Sequence, residues 1–193
     1  MIEARFGRLP PLNQGFVRLV TETGNEKVQG MKRACGLLLL LGLLVPAAAQ
    51  ALTSSWTGTV THVSDGDTLW VRPQQGGAPR AVRIDGIDAP ELCQAHGETA
   101  RAALVAHVLG QRVQLRVRRH DDYGRALARV RLHGQDVGAW LVSRGHAWSY
   151  RYRTQTGPYV QQESEARAHR LGLFRQARAE LPREFRRRHG PCH

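Results

Sequence analysis

The chain has 193 residues, with 28 Lys or Arg against 16 Asp or Glu, and therefore a formal charge of +12. Its length suits one domain with extra segments, and an apolar content of 41% excludes a chain too polar to bury a core. The positive charge favours an anionic partner, either nucleic acid or an acidic membrane surface. Solubility alone, or a genome biased towards Arg codons, is the alternative.

The segment "MKRACGLLLLLGLLVPAAAQA", residues 31–51, has the pattern of an export signal. Lys32 and Arg33 precede a short apolar run, and Ala49-Gln50-Ala51 matches an A-x-A cleavage site. The apolar run is shorter than the roughly 20 residues that span a bilayer comfortably, although an uncleaved anchor remains the alternative. We therefore expect translation from Met31, cleavage after Ala51 and a secreted or periplasmic monomer with no stable membrane insertion.

Downstream of the signal, alternation of apolar and polar residues predicts strands, and turn dipeptides such as Asp85-Gly86 separate them. The predicted strands cover residues 56–63, 68–72, 80–84, 112–119 and 125–132, and the predicted helices cover residues 98–109, 137–142 and 161–171. Five short strands with about three helices fit an α+β domain built on a small OB-type β-barrel. We place this domain at residues 52–175 and an irregular basic tail at 176–193.

Carboxylates are concentrated in two turns beside the predicted strands. Asp67 begins the second strand, whereas Asp88 and Glu91 follow the third. If these strand ends meet on a small barrel, three carboxylates would repel each other unless a cation joined them. Oxygen ligands select Ca²⁺ or Mg²⁺, and the absence of H-E-x-x-H or C-x-x-C patterns makes zinc a poor choice. Taken alone, each Asp-Gly pair is better explained as a purely structural polar turn.

Two arginines accompany these acids. Arg83 lies on the third strand, five positions before Asp88, and Arg125 begins the fifth strand. A single strand arginine is usually solvated surface. Two of them beside an acid-bound divalent ion can neutralise the phosphate oxygens and stabilise the leaving oxygen in phosphodiester hydrolysis. A carboxylate can activate the attacking water.

The ordered motifs "DGDT", "RIDGIDAPE" and "DDYGRALA" closely resemble those of the thermonuclease family, the staphylococcal nuclease-like proteins. The resemblance covers about residues 56–175. It implies a five-stranded OB barrel and a Ca²⁺-dependent phosphodiesterase acting on DNA and RNA, with Mg²⁺ a weaker candidate. It also implies in-line attack by water, departure of the 5′-oxygen and a 3′-phosphate product.

The resemblance also assigns roles to individual residues. Asp67 and Asp88 match the carboxylate metal ligands, and Ala89 would contribute its backbone carbonyl, although the usual family member has Thr at this position. Glu91 matches the residue that positions or deprotonates the attacking water. Two further positions match the phosphate-binding arginines: Arg83 and Arg125. Flanking positions would support the metal loop: Asp65 and Thr68.

Aromatic residues and cysteines complete the predicted site. Tyr123 would form part of the pocket wall, and Tyr150 and Tyr152 in "GHAWSYRYR" would contact the base or the 5′-phosphate side; surface placement of these tyrosines is the alternative. Cleavage after Ala51 leaves an even number of cysteines, Cys93 and Cys192, which either form a disulfide or remain free thiols.

A catalytically silent OB module that binds nucleic acid in the cell envelope is the second hypothesis. The basic charge would serve either role, since phosphate contacts alone give affinity. A module that only binds has no need of Asp67, Asp88 and Glu91 together, because carboxylates repel phosphate unless a cation intervenes. The sequence therefore favours the nuclease.

Overall fold

A computed structural model of the chain describes residues 54–151, 156–176, 178–190 and 192. The predicted signal segment, its cleavage site after Ala51 and the predicted substrate residue Tyr152 lie outside this part of the chain. The strands are β1 Ser55–Val63, β2 Thr68–Pro73, β3 Arg80–Ile84, β4 Ile87–Asp88, β5 Arg112–His120, β6 Ala126–Leu132, β7 Gln135–Asp136 and β8 Trp148–Ser149. The helices are α1 Gly97–Val108, α2 Val137–Ser143, α3 Val160–Ala168 and α4 Pro182–His189, with a 3-10 turn at Gly172–Arg175.

Five strands close into a barrel. The sheet runs β3-β2-β1-β5-β6, and a further pairing between β3 and β6 joins its two edges. The β3–β6 pair is parallel, whereas the other barrel pairs are antiparallel. This closure removes free strand edges and confirms the predicted five-stranded OB-type barrel.

Alternation along the strands fills the barrel. In β5 every second residue from Val113 to Val117 is buried, and the residues between them are exposed. Helix α1 adds Leu104 and Val108, both fully buried, to the same core. A smaller cluster lies near α3, formed by Trp148, Ala166, Leu173 and Phe174. The predicted periodicity therefore holds for the core, because burial follows the two-residue period of a strand and the apolar face of a helix.

The C-terminal tail corrects one prediction. The segment from Pro182, expected to be irregular, forms helix α4, so the described residues contain four α-helices rather than about three. Pro182 occupies the first turn, where its missing N–H costs nothing. Glu184 in the first turn and several arginines in the last turn complement the helix dipole. The sequence contains these helix signals, but the high density of charged residues led to the prediction of an irregular tail.

Smaller differences concern element ends. Helix α3 ends at Ala168, three residues before the predicted end, and the two-residue strands β4, β7 and β8 were not predicted. Among the described residues, no helix combines the length and the apolar character that crossing a membrane requires.

Candidate active site

The turn before β2 holds the first predicted metal ligand. The side chain of Asp65 accepts a hydrogen bond from the Asp67 backbone N–H at 2.9 Å, which orders the Asp-Gly-Asp turn. Asp67 is buried, and it accepts hydrogen bonds from the Thr68 hydroxyl at 3.1 Å and the Ala89 N–H at 3.2 Å. The contact with Ala89 joins this turn to the loop after β4. A side chain at Gly66 would place its Cβ 2.7 Å from that of Ala89, so the close approach requires glycine.

Asp88 meets Asp67 at a single guanidinium. The short β4–β8 pair fixes Asp88 opposite Trp148. Nη2 of Arg83 lies 2.9 Å from Oδ2 of Asp67 and 3.1 Å from Oδ1 of Asp88. The structure therefore brings together three residues that the sequence separates by up to 21 positions, as the closed barrel requires.

Burial makes Asp88 costly to ionise. Desolvation, followed by the charge of Asp67, raises the pKa of Asp88 to about 6, and the opposing attraction of Arg83 only partly offsets these effects. Desolvation and the Asp67 charge likewise raise the pKa of Asp65 to about 6. The Asp67 carboxylate in turn raises the pKa of Arg83. One guanidinium thus does not balance the negative charge gathered here.

This donor set fits a hard cation. Asp67 and Asp88 offer buried carboxylate oxygens, and their excess negative charge is the environment that Ca²⁺ or Mg²⁺ would stabilise. No group of three or more His, Cys, Asp or Glu side chains in the described ranges has metal-site spacing. A cation here would thus rely on the two carboxylates with backbone carbonyl or water oxygens. The carbonyl role of Ala89 stays a prediction.

Glu91 lies on the loop between β4 and α1. Its backbone N–H donates to the side chain of Gln94 at 3.1 Å, and its carboxylate forms an ion pair with Arg186 of α4. Helix α1 begins so close that a Cβ at Gly97 would lie 1.9 Å from the Glu91 carbonyl oxygen. Glycine at the start of α1 therefore sets how the Glu91 loop packs.

The turn between β5 and β6 presents Arg125. The Asp121 carboxylate accepts from the Arg125 Nε–H at 2.8 Å and from its backbone N–H at 2.9 Å. The Arg125 guanidinium lies 5.3 Å from the ring centroid of Tyr123, whose side chain is 85% exposed. Asp121 thus holds one edge of the guanidinium and leaves its Nη groups available for another anion.

One open cleft of about 550 Å³ contains this set. The predicted site residues that line it are Asp67, Arg83, Asp88, Ala89, Glu91, Tyr123, Arg125 and Tyr150. Tyr150 is about half exposed, and its backbone N–H donates to the Gly86 carbonyl at 2.9 Å. Trp148, by contrast, is buried in the smaller core cluster. Within the aromatic segment, Trp148 therefore packs in the core, whereas Tyr150 lines the cleft.

Three cleft arginines were missed by the sequence reasoning: Arg118, Arg119 and Arg186. The first two stand where β5 shifts register against β6, between Val117 and Arg119, and strand alternation alone does not anticipate a bulge. Arg186 belongs to the tail predicted as irregular. The sequence signal that could connect α4 to Glu91 is the possible Cys93–Cys192 bridge, which does not by itself specify Arg186.

A disulfide joins Cys93 to Cys192 and accounts for that connection. It ties the loop that carries Glu91 to the chain just after α4. The Gln94 side chain adds a hydrogen bond to the Glu180 carbonyl at 2.6 Å. The tail is therefore attached to the wall of the cleft at two points beside the Arg186 ion pair.

Comparison of the sequence with known proteins identifies relatives of this chain. The staphylococcal nuclease homologue model matches residues 81–176, a range that includes Arg83, Asp88, Glu91 and Arg125. A protein named ParB from Escherichia coli is 35% identical over 168 residues, covering 81% of this chain and 91% of that protein.

Two further relatives have similar coverage. A micrococcal nuclease from Shigella flexneri is 34% identical, covering 80% of this chain and 91% of the relative. A protein named as an uncharacterized endonuclease from Haemophilus influenzae is 32% identical, covering 78% of this chain and 85% of that protein. On the match to the family model and on these near full-length similarities, the chain belongs to the family of staphylococcal nuclease homologues.

Proposed function

We propose that this protein is an exported, Ca²⁺-dependent nuclease that hydrolyses DNA, RNA or both as a monomer. Family membership gives the enzyme class, a hydrolase of phosphodiester bonds. The single observation that carries the finer proposal is the convergence of Asp67 and Asp88, both buried, on one guanidinium in a cleft that also holds Glu91 and Arg125.

The residues divide the chemistry among them. Asp67 and Asp88 would hold the cation, which supplies electrostatic stabilisation of charge on the phosphate when bound. A guanidinium has five N–H donors, so Arg83 can contact a phosphate oxygen while its Nη2 remains against the carboxylates. Arg125 can do the same through the Nη groups that Asp121 leaves free. Glu91 would accept a proton from the attacking water.

Export is supported by two independent features. Residues 31–51 have the pattern of a cleavable signal, and the Cys93–Cys192 disulfide suits an oxidising compartment. Amino-terminal sequencing of secreted or periplasmic material tests this part of the proposal. A mature chain starting at Leu52 supports it, whereas a retained segment 31–51 contradicts it.

The activity test is digestion of single-stranded DNA with Ca²⁺ or with chelator, for the wild type, Glu91→Gln and Arg125→Ala. We expect each variant to lose at least a hundredfold in rate with the fold intact by circular dichroism. Glu98→Gln is the matched control, because Glu98 is exposed on α1 and does not line the cleft.

Three results would contradict parts of this proposal. Activity unaffected by chelation removes the role of the cation. Full activity of Glu91→Gln removes the assigned role of that carboxylate. Tight binding of DNA without cleavage under any metal condition supports instead the silent OB module.

A further inference from the structure

A row of arginines extends from the cleft across the outside of the barrel. Arg118 and Arg119 line both the cleft and a neighbouring groove of about 680 Å³. Arg129 lines that groove and a third one of about 690 Å³, which Arg116 and Arg131 also border. These five arginines, here named the arginine track, connect three adjoining depressions along β5 and β6.

The register of the two strands concentrates this charge. Arg116 is the direct partner of Arg129 in the β5–β6 pair, and Gln114 is the partner of Arg131. Like charges placed opposite each other on one face oppose folding. Nothing in the barrel core requires this arrangement, because the intervening residues Leu115 and Val130 supply the burial.

Internal carboxylates balance only part of the track. Asp85 lies 3.0 Å from Arg118 and 3.7 Å from Arg129, and Asp136 lies 3.8 Å from Arg129. Within the part of the chain that the structure describes, no carboxylate forms an ion pair with the remaining three: Arg116, Arg119 and Arg131. These three exposed guanidiniums suit a polyanion.

Aromatic rings stand at both ends of the row. Tyr150 lies where the track meets the cleft, and Trp56 lines the far groove. Unpaired bases stack on such rings, whereas the bases of a duplex are already stacked on each other. From Arg118 to Gln114 the strand spans about 14 Å, at roughly 3.4 Å per residue. That distance accommodates the phosphates of a few nucleotides.

We propose that the arginine track binds the phosphates of a single-stranded polynucleotide beyond the nucleotide being cleaved. This inference rests on the proposed nuclease function and adds an extended binding surface to it. The track gives affinity and holds a long substrate in the cleft, whereas a very short substrate cannot reach it.

The test compares substrate length in a double variant, Arg116→Gln with Arg131→Gln. Binding of a 14-nucleotide DNA is measured in chelator at 50–200 mM salt, and cleavage of this DNA and of a 5′-phosphorylated dinucleotide is measured with Ca²⁺. The control, Arg101→Gln with Arg183→Gln, removes the same charge from one partly exposed and one exposed helix position outside the three depressions.

If each track arginine contacts one phosphate, the double variant should lower the slope of log affinity against log salt by about 1.4. Wild-type affinity should then fall about sevenfold more than that of the variant across this fourfold salt range. The kcat/KM for the long DNA should fall about tenfold through KM, while the dinucleotide is cleaved at the wild-type rate.

Equal salt slopes for the wild type and the double variant would overturn the proposed role of the arginine track. An equal loss of salt slope in the control variant would overturn it as well. An equal loss of kcat/KM on the dinucleotide would overturn it as well, because the effect would then lie in the cleft. If the wild type cleaves neither substrate, the nuclease proposal itself fails. The binding measurement in chelator still decides whether the track holds nucleic acid.

Discussion

Replacing Asp88 with Asn should make the metal-free protein more stable at neutral pH while abolishing its activity. Asp88 is 7% exposed, and burial together with the Asp67 charge raises its pKa from the ordinary 3.8 to about 6. At a pH between these two pKa values, Asp88 holds a proton in the folded protein that it has released in the unfolded chain. Stability contributed by the protonated form is therefore lost as the pH rises from about 4 to 6.

The size of the effect follows from that difference in pKa. The difference in pKa corresponds to ~3 kcal/mol, at 1.36 kcal/mol per pKa unit. This cost remains although the Arg83 guanidinium lies 3.1 Å from the Asp88 carboxylate. Asn is neutral at every pH, so the free energy of unfolding of the variant should exceed that of the wild type by ~3 kcal/mol at pH 7. Near pH 4, where Asp88 is itself protonated, the two should differ little.

Urea unfolding in chelator at pH 4 and pH 7 measures this. Asp122→Asn, an exposed change of the same kind, should alter stability by no more than about 0.5 kcal/mol at either pH. Ca²⁺ at about 1,000 times its dissociation constant should reverse the order by stabilising the wild type ~4.1 kcal/mol more than a variant that no longer binds the ion. An Asp88→Asn variant that is less stable than the wild type at pH 7 in chelator would refute the reasoning.

Three further perturbations follow from the contacts. Replacing Cys93 and Cys192 with Ser should lower the free energy of unfolding by up to about 4.7 kcal/mol, because the bridge closes a loop of 99 positions; an unchanged urea midpoint would contradict this. Glu163→Ala should cost about 1–3 kcal/mol in the same assay, because it leaves the buried Ser149 N–H without its acceptor, whereas Arg151 and Arg167 are about half exposed and remain solvated. Glu165→Ala is its exposed control. Arg186→Gln should lower kcat roughly ten- to a hundredfold with KM little changed, because the ion pair with Arg186 orients Glu91. Arg186→Lys should recover part of the lost rate. A change in KM as large as the change in kcat would argue against this orienting role.

The sequence predicted the barrel for physical reasons, and it singled out residues that the structure places along one cleft. The two-residue period of β5 and the turn motifs around Asp67 and Asp88 are local signals, and the family motifs linked them in order. Contacts between residues far apart in the sequence were harder to predict from it. Apart from the possible Cys93–Cys192 bridge, no local pattern near Glu91 indicates Arg186, which lies 95 positions away. The bulge that leaves Arg119 exposed shows in the sequence as the end of the alternation of β5 at Arg118-Arg119, which does not specify a bulge.

The disulfide and the acidic pair should prove to be energetically coupled through α4. Arg186 lowers the pKa of Asp88, although burial and Asp67 dominate, and the Cys93–Cys192 bridge anchors the chain that carries Arg186. Without the bridge, Arg186 would spend less time beside the cleft, and ionised Asp88 would be more costly. Asp88→Asn should then stabilise the metal-free protein more in the Cys93→Ser, Cys192→Ser background than in the wild type.

A double-mutant cycle in chelator at pH 7 measures this coupling, for which we expect about 0.5–1 kcal/mol, the lower part of the range for neighbouring groups. Repeating the cycle with Arg186→Gln isolates the cause, since the coupling should vanish when the guanidinium is absent from both backgrounds. Strict additivity in the first cycle would mean that α4 keeps its place without the bridge. Coupling that persists without Arg186 would mean that the bridge acts on the Glu91 loop directly.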